Sequence, residues 1–156
     1  MPLVLASDLS DREREPFARL RVKATEIRAE YIKKPIRSGN VAVLEYVSPA
    51  LKEPITVGAT SRFKSPSPKP LPRSEGGYFE PSIDPNTERL MDTDAEYKAL
   101  SELARQLDAM AASQKMGVVH LFTERQPCVS CARVFAQFEE RFPQVTIVLD
   151  FDHPFP

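Results

Sequence analysis

Thr93-Asp94-Ala95-Glu96 and Pro127-Cys128-Val129-Ser130-Cys131 are the two stretches on which the reading of the fold turns. Each has the form of a helix start. Thr93 with Glu96 three positions later makes a capping box, and Pro127 suits the entry of a helix whose first turn would hold two thiols. Behind each start runs an apolar face at three- and four-residue steps. Leu100, Leu103, Ala104, Leu107 and Met110 follow the first, with Glu96 one turn ahead of Leu100 and so also inward. Cys131, Phe135, Phe138 and Phe142 follow the second. The expected helices cover residues 94–112 and about 128 to just before Pro143. A short apolar strand comes after each, at 118–122 and 145–149. This alternation predicts an α/β domain with parallel neighbours in its sheet and helices packed across it.

Towards the N-terminus the pattern begins with another helix, from Asp11 to about Lys34, where Phe17, Leu20, Ala24, Ile27 and Tyr31 recur on one side. Ser10 and Glu13 can box its start, and Pro35, Gly39 and Asn40 turn the chain afterwards. Residues 41–47 and 54–60 read as two strands of a hairpin joined through Ser48-Pro49. Residues 61–92 differ in kind. Pro66, Pro68, Pro70, Pro72, Pro81 and Pro85 deny a regular hydrogen-bond ladder, and Gly76-Gly77 adds a joint. This is a long proline-rich loop within the domain, and loops of such length are usually functional or mobile. From Ser61 to Ser74 it holds Arg62, Lys64, Lys69 and Arg73 without an acid, with aromatics at Phe63, Tyr78 and Phe79. Charges for phosphates and ring faces for bases are what a single strand of nucleic acid requires. A solvated linker with stray aromatics has the same composition.

The 156 residues suffice for one domain, 1–156, with residues 1–38 as its N-terminal helical segment. No apolar run approaches the length of a membrane span, so the expectation is a soluble protein. Residues 1–6 are apolar but too short and lack the basic lead-in of an export signal. The net charge of −1 conceals a division: residues 19–73 sum to +8 and residues 74–156 to −7. One face can therefore attract an anion although the whole is slightly acidic, and two solvated faces of opposite sign are the plainer alternative.

The two cysteines stand three apart, a spacing suited to a metal or redox pair in a reducing compartment rather than to a disulfide framework. Hydrolytic zinc takes three protein ligands and a water. Cys128 and Cys131 supply two, favoured as thiolates at a helix N-terminus. The third is assigned to Asp94, because Glu96 two residues later and the following Pro-Cys-x-x-Cys reproduce the layout of a zinc deaminase, in which the glutamate moves protons and does not bind metal. The roughly 30-residue separation leaves room for helix, strand and second helix entry, which brings both helix starts to one edge of the sheet. His120 and His153 are the only histidines; the first reads as a strand residue, the second as exposed in a Pro-flanked tail. Capping box and Cys-x-x-Cys are each ambiguous alone, and a thioredoxin-like redox protein and a non-catalytic module with a structural metal remain as alternatives.

Asp92-Thr93-Asp94-Ala95-Glu96-Tyr97-Lys98, Pro127 to Cys131, and Phe138 to Phe142-Pro143 before a last strand together resemble the bacterial toxin branch of the cytidine deaminase superfamily, over roughly residues 41–150. The resemblance implies a three-layer α-β-α fold with a mixed central sheet, Zn2+ held by Asp94, Cys128 and Cys131, and Glu96 as the catalytic acid/base. It implies conversion of cytosine to uracil, here in single-stranded DNA, with RNA or a nucleoside as variants of the same chemistry. Ala95 would lie against the base, and Ser61, Arg62 and Phe63 would form the pocket wall and strand contacts. It also implies an effector carried on a larger secreted toxin, acting in the cytoplasm of a target bacterium and neutralised by a cognate immunity protein; separately, a monomer is expected. Asp94 stands where the superfamily usually has His or Cys. The fifth strand of such a sheet has no assigned segment.

Overall fold

The hairpin of β2 (Val41–Val47) and β3 (Ile55–Thr60) forms one side of the central sheet, antiparallel from Val41 opposite Thr60 to Tyr46 opposite Ile55. The computed structural model describes residues 4–34, 39–71, 73, 76–81, 94–125 and 129–153, the side chains of 129–131 excepted. On its other edge β2 pairs antiparallel with β4 (Gly117–Arg125), which pairs parallel with β5 (Val145–His153). A two-residue strand, β1 (Val4–Leu5), lies parallel to β5 at the margin. The order is β1-β5-β4-β2-β3, a mixed five-stranded sheet. The missing fifth strand is thus the apolar N-terminal stretch, with Val4 opposite Val148 and Leu5 opposite Leu149.

Alternation along the strands divides the core into two layers. Ala42, Leu44 and Tyr46 of β2, Val119 and Leu121 of β4, and Val145, Ile147 and Leu149 of β5 face α2 (Ala95–Asp108) and α3 (Val129–Arg141). Val41, Val43, Phe122 and Val148 face α1 (Pro16–Ile27) on the opposite side. Helices on both faces of a mixed sheet make the three-layer α-β-α arrangement expected of a deaminase-like fold. Leu100, Leu103 and Leu107 of α2 and Phe135, Phe138 and Phe142 at α3 are buried as their spacing requires. Each such side chain withdraws about 1.5–3 kcal/mol worth of apolar surface from water.

The helix bounds are tighter than the apolar pattern. Ser10 and Glu13 do form the reciprocal box, with Ser10 Oγ donating to Glu13 Oε1 at 2.8 Å, but only turns follow, and the α-helix starts with Pro16 in its first turn. It then widens into a π turn, Arg28–Ile32, closed by Lys33 N donating to Arg28 O at 2.7 Å, with Lys33 left-handed at φ 60°. The second helix stops at Asp108. β4 and β5 are longer than their apolar runs because polar residues continue the ladder: Thr123 pairs with Phe151 and Arg125 with His153. Asp150 and Asp152 are held from outside by Arg21 of α1, at 2.5 and 2.9 Å.

Candidate active site

Glu96 occupies the second position of α2, where a carboxylate at a helix start would ordinarily turn to solvent or to backbone amides. It is 3% exposed instead. Its Oε1 accepts from Thr123 Oγ1 at 2.7 Å and from Asn40 Nδ2 at 2.8 Å, and Asn40 Nδ2 also donates to Thr123 Oγ1 at 2.8 Å. The amide orientation of Asn40 follows from its other end, where Oδ1 accepts from the Arg125 N–H at 3.2 Å. Turned over, it would set oxygen against carboxylate and NH2 against N–H. A closed triangle of three side chains therefore holds one oxygen of Glu96, both donors favouring negative charge on it.

The elements explain why these residues meet. Thr123 follows Val119 and Leu121 on the inward parity of β4, and Asn40 immediately precedes β2, which neighbours β4. The start of α2 is brought to the same edge by Lys98, one turn into the helix and 2% exposed. Its Nζ donates to Thr60 O at 2.9 Å and to Arg62 O at 2.6 Å, fastening the end of β3 to the helix. Since α3 begins just beyond Arg125, both helix starts lie at one edge, as the spacing predicted.

Asp94 is the N-cap residue of α2, half-buried, with φ −58° and ψ 141°. The helix boundary falls one residue later than a Thr93 cap requires; Thr93 itself lies outside the described residues. The Asp94 carboxylate makes no capping hydrogen bond, and Oε1 of Glu96 is turned to Asn40 and Thr123; the capping box read from Thr93 and Glu96 falls outside the described residues. Cys128 and Pro127 lie outside the described residues, as does the Cys131 side chain, although Cys131 is in the first turn of α3. Among the described residues no three His, Cys, Asp or Glu side chains gather at one point.

Of the histidines, His120 is on the wrong face. It packs edge-on against Phe17 of α1, ring centroids 5.5 Å apart, with the sheet between it and Glu96. Burial lowers its pKa, and its buried Nδ1 lacks a hydrogen-bond partner among the described residues. His153 closes β5 as an exposed strand residue, not part of a tail, at the same edge as Arg125.

Ser61, Arg62 and Phe63 follow directly on β3 and frame the site. Ser61 Oγ accepts from Asn40 N at 2.7 Å, and Ser61 N donates to Asn40 O at 2.9 Å. Buried Thr60 donates to Lys64 O at 2.6 Å and accepts from Arg62 N at 3.1 Å, a tight turn that leaves the Phe63 ring fully exposed. Ala95, the first helical residue, is fully buried in the inner core. The other two loop aromatics belong to the fold: Phe79 is buried against Phe138 at 6.1 Å, its carbonyl accepting from Tyr97 Oη at 2.8 Å, and Tyr78 packs beside it. The reading of Tyr78 and Phe79 as interleaved base-stacking rings gives way to a structural one, because the loop needs apolar anchors to lie on α2 and α3. No strand or α-helix occurs among the described residues of 61–81.

Asn40, Thr123 and Lys98 are the site residues that sequence reasoning did not pick out. Only Thr123 had a local signal, a polar residue on the inward parity of a buried strand.

Residues 82–151 match the model of a toxin deaminase family, the BURPS668_1122 family of deaminases. That span holds Asp94, Glu96, Thr123, Cys128 and Cys131, and the match supports a hydrolytic deaminase of the toxin kind. No curated protein and no solved structure matches the chain. Among the described residues no helix is long and apolar enough to cross a membrane.

Proposed function

We propose that the chain is a zinc-dependent cytosine deaminase acting on single-stranded DNA, the effector part of a toxin used between bacteria. The observation that carries the reading is Glu96: a carboxylate buried at a helix start and held by Asn40 and Thr123, at the edge where the Cys-x-x-Cys helix also begins. The motifs resemble those of the single-strand DNA deaminase toxin of Pseudomonas.

The donor set fits zinc: a carboxylate from Asp94 with two thiolates from Cys128 and Cys131 is a hydrolytic set that leaves a position for water. Bound there, zinc supplies a Lewis acid that brings the pKa of water near 7. Glu96 takes a proton from the water that adds to C4 of cytosine and delivers it to N3. It then assists the departure of the amino group, so that cytosine and water become uracil and ammonia. Phe63, exposed between Arg62 and Lys64, offers a stacking face and phosphate contacts to a neighbouring nucleotide.

A base in a duplex must first be unstacked at a cost of a few kcal/mol, which favours a single strand. Delivery on a larger secreted chain, action in the recipient's cytoplasm as a monomer, and neutralisation by an immunity protein complete the proposal. The test offers the intact protein matched cytosine-containing single-stranded DNA, duplex DNA, RNA and free cytidine. Uracil is expected fastest in single-stranded DNA. Equal rates on duplex and single strand contradict the substrate assignment, and uracil only in RNA redirects it.

A further inference from the structure

The π turn at the end of α1 builds a basic cleft that the site described above does not use. Thr25, Arg28, Ala29, Lys33 and Lys34 line a space of about 510 Å3. Arg28 forms its buried floor and is committed elsewhere: the guanidinium holds Glu124 at 2.6 Å and donates to Lys34 O at 2.8 Å and to Gly39 O at 3.1 Å. Lys33 and Lys34 are exposed, and among the described residues neither ammonium pairs with a carboxylate. Glu30, the acid of the turn, does not line the cleft and pairs with neither lysine. Thr25 spends its hydroxyl proton on Arg21 O at 3.0 Å. The cleft therefore presents two uncompensated cations above a neutralised floor.

Its backbone is also unusual. A left-handed conformation at a non-glycine residue costs about 1–2 kcal/mol, and single π turns inside helices concentrate at functional positions. Here the turn and the φ of 60° at Lys33 set both lysines on the rim. The cleft is also connected to Glu96. Arg28 holds the Gly39 carbonyl, the next residue is Asn40, and Asn40 donates to Glu96. On its other side Gly39, at φ 81°, lies so close to Arg62 that a Cβ there would stand 2.9 Å from Nε.

We propose that this cleft binds a backbone phosphate group of the single strand on the side of the target base away from Phe63, with Lys33 and Lys34 as the contacts. This rests on the nucleic-acid reading above. A single strand would run from Lys33 and Lys34 over Gly39 to Arg62 and Phe63, with the target base turned down between Asn40 and α2.

The experiment measures binding of the intact protein to a thymine-only oligonucleotide by fluorescence anisotropy over a salt series, which isolates backbone contacts from turnover. Each phosphate contact to a single strand contributes about 0.7 to the slope of log affinity against log salt. The double variant Lys33→Gln/Lys34→Gln gives up that one phosphate and is expected to lose about 0.7 of that slope, which is roughly a 2.6-fold smaller affinity loss between about 50 and about 200 mM salt. On a cytosine oligonucleotide it raises KM and leaves kcat unchanged, while Lys52→Gln, in the hairpin turn at the opposite edge, changes neither. An unaltered slope together with normal uracil formation overturns the cleft and spares the deaminase reading. Lysine-dependent binding without uracil formation by the intact protein overturns the deaminase reading and keeps the cleft.

Discussion

Replacing Thr123 with valine removes a hydroxyl and keeps the side-chain shape at a position with no solvent exposure. Two hydrogen bonds go with it: the one donated to Glu96 Oε1 at 2.7 Å and the one accepted from Asn40 at 2.8 Å. A bond to a charged group contributes about 1.5–3 kcal/mol and a neutral one about 0.5–1.5. The loss is therefore about 2–4 kcal/mol, and for a domain of this size it lowers Tm by roughly 5–15 °C. For activity the geometry matters more than the sum. With one of its two donors among the described residues gone, the carboxylate can rotate away from the reacting atoms, and misplacement costing about 1.4–2.7 kcal/mol at the transition state is about 10–100-fold in kcat. The assay is uracil formation in a cytosine-containing single strand, read beside zinc content and thermal unfolding, for Thr123→Val and Thr123→Ser. Serine keeps the hydroxyl and should recover most of the rate. Valine turnover within twofold of the intact protein, at full zinc content, would refute the role given to the Asn40-Thr123-Glu96 triangle.

Metal analysis should separate the ligand from the proton carrier: Asp94→Ala loses zinc, whereas His153→Ala, at the same edge of the sheet, retains it; the reverse pattern transfers the third ligand to His153. Gly117→Ala should be strongly destabilising, because a Cβ there would stand 2.1 Å from the Val47 carbonyl oxygen, a backbone atom that cannot rotate aside; a melting temperature within a few degrees of the native one would contradict the close β2–β4 approach. For His120 the sign follows from burial, which depresses its folded-state pKa below the ordinary 6.5. Above that value folded and unfolded chains are both neutral there. As pH falls through 6.5 towards the depressed value, the unfolded chain gains a proton that the folded one resists, so stability falls. Thermal unfolding of His120→Gln should show a flatter decline between about pH 6.5 and 5; an unchanged slope removes the histidine from the acid sensitivity.

What the sequence disclosed, and what it concealed, divides along local and non-local lines. The α2 face and the hairpin were legible because Leu100, Leu103 and Leu107 carry their period, and the apolar, β-branched run of 41–47 its strand character, in a few neighbouring positions. β1 was not, because two residues have no period. Val4 and Leu5 become a strand only by lying on Val148 and Leu149, 144 positions away. The polar ends of β4 and β5 were truncated for the same reason, since Thr123 to Arg125 and Asp150 to His153 are extended through the ladder they share and through Arg21. At the site, Glu96 could be named from its company in sequence, but its partners could not. Asn40 beside Gly39 has the look of a turn residue, and only the pairing of β2 with β4 reveals that its amide faces a carboxylate. The aromatics of the proline-rich loop failed in the opposite direction. Phe79 has the same composition signal as Phe63, yet one is buried on Phe138 and the other stands in solvent.

The most direct measurement of the central claim is the balance of products from a single-stranded oligonucleotide with one cytosine, by mass spectrometry for uracil and enzymatic assay for ammonia. Intact protein and Glu96→Ala would be compared at equal zinc content. The account predicts equimolar uracil and ammonia from the intact protein and neither from Glu96→Ala. Turnover by Glu96→Ala at the intact rate would contradict it.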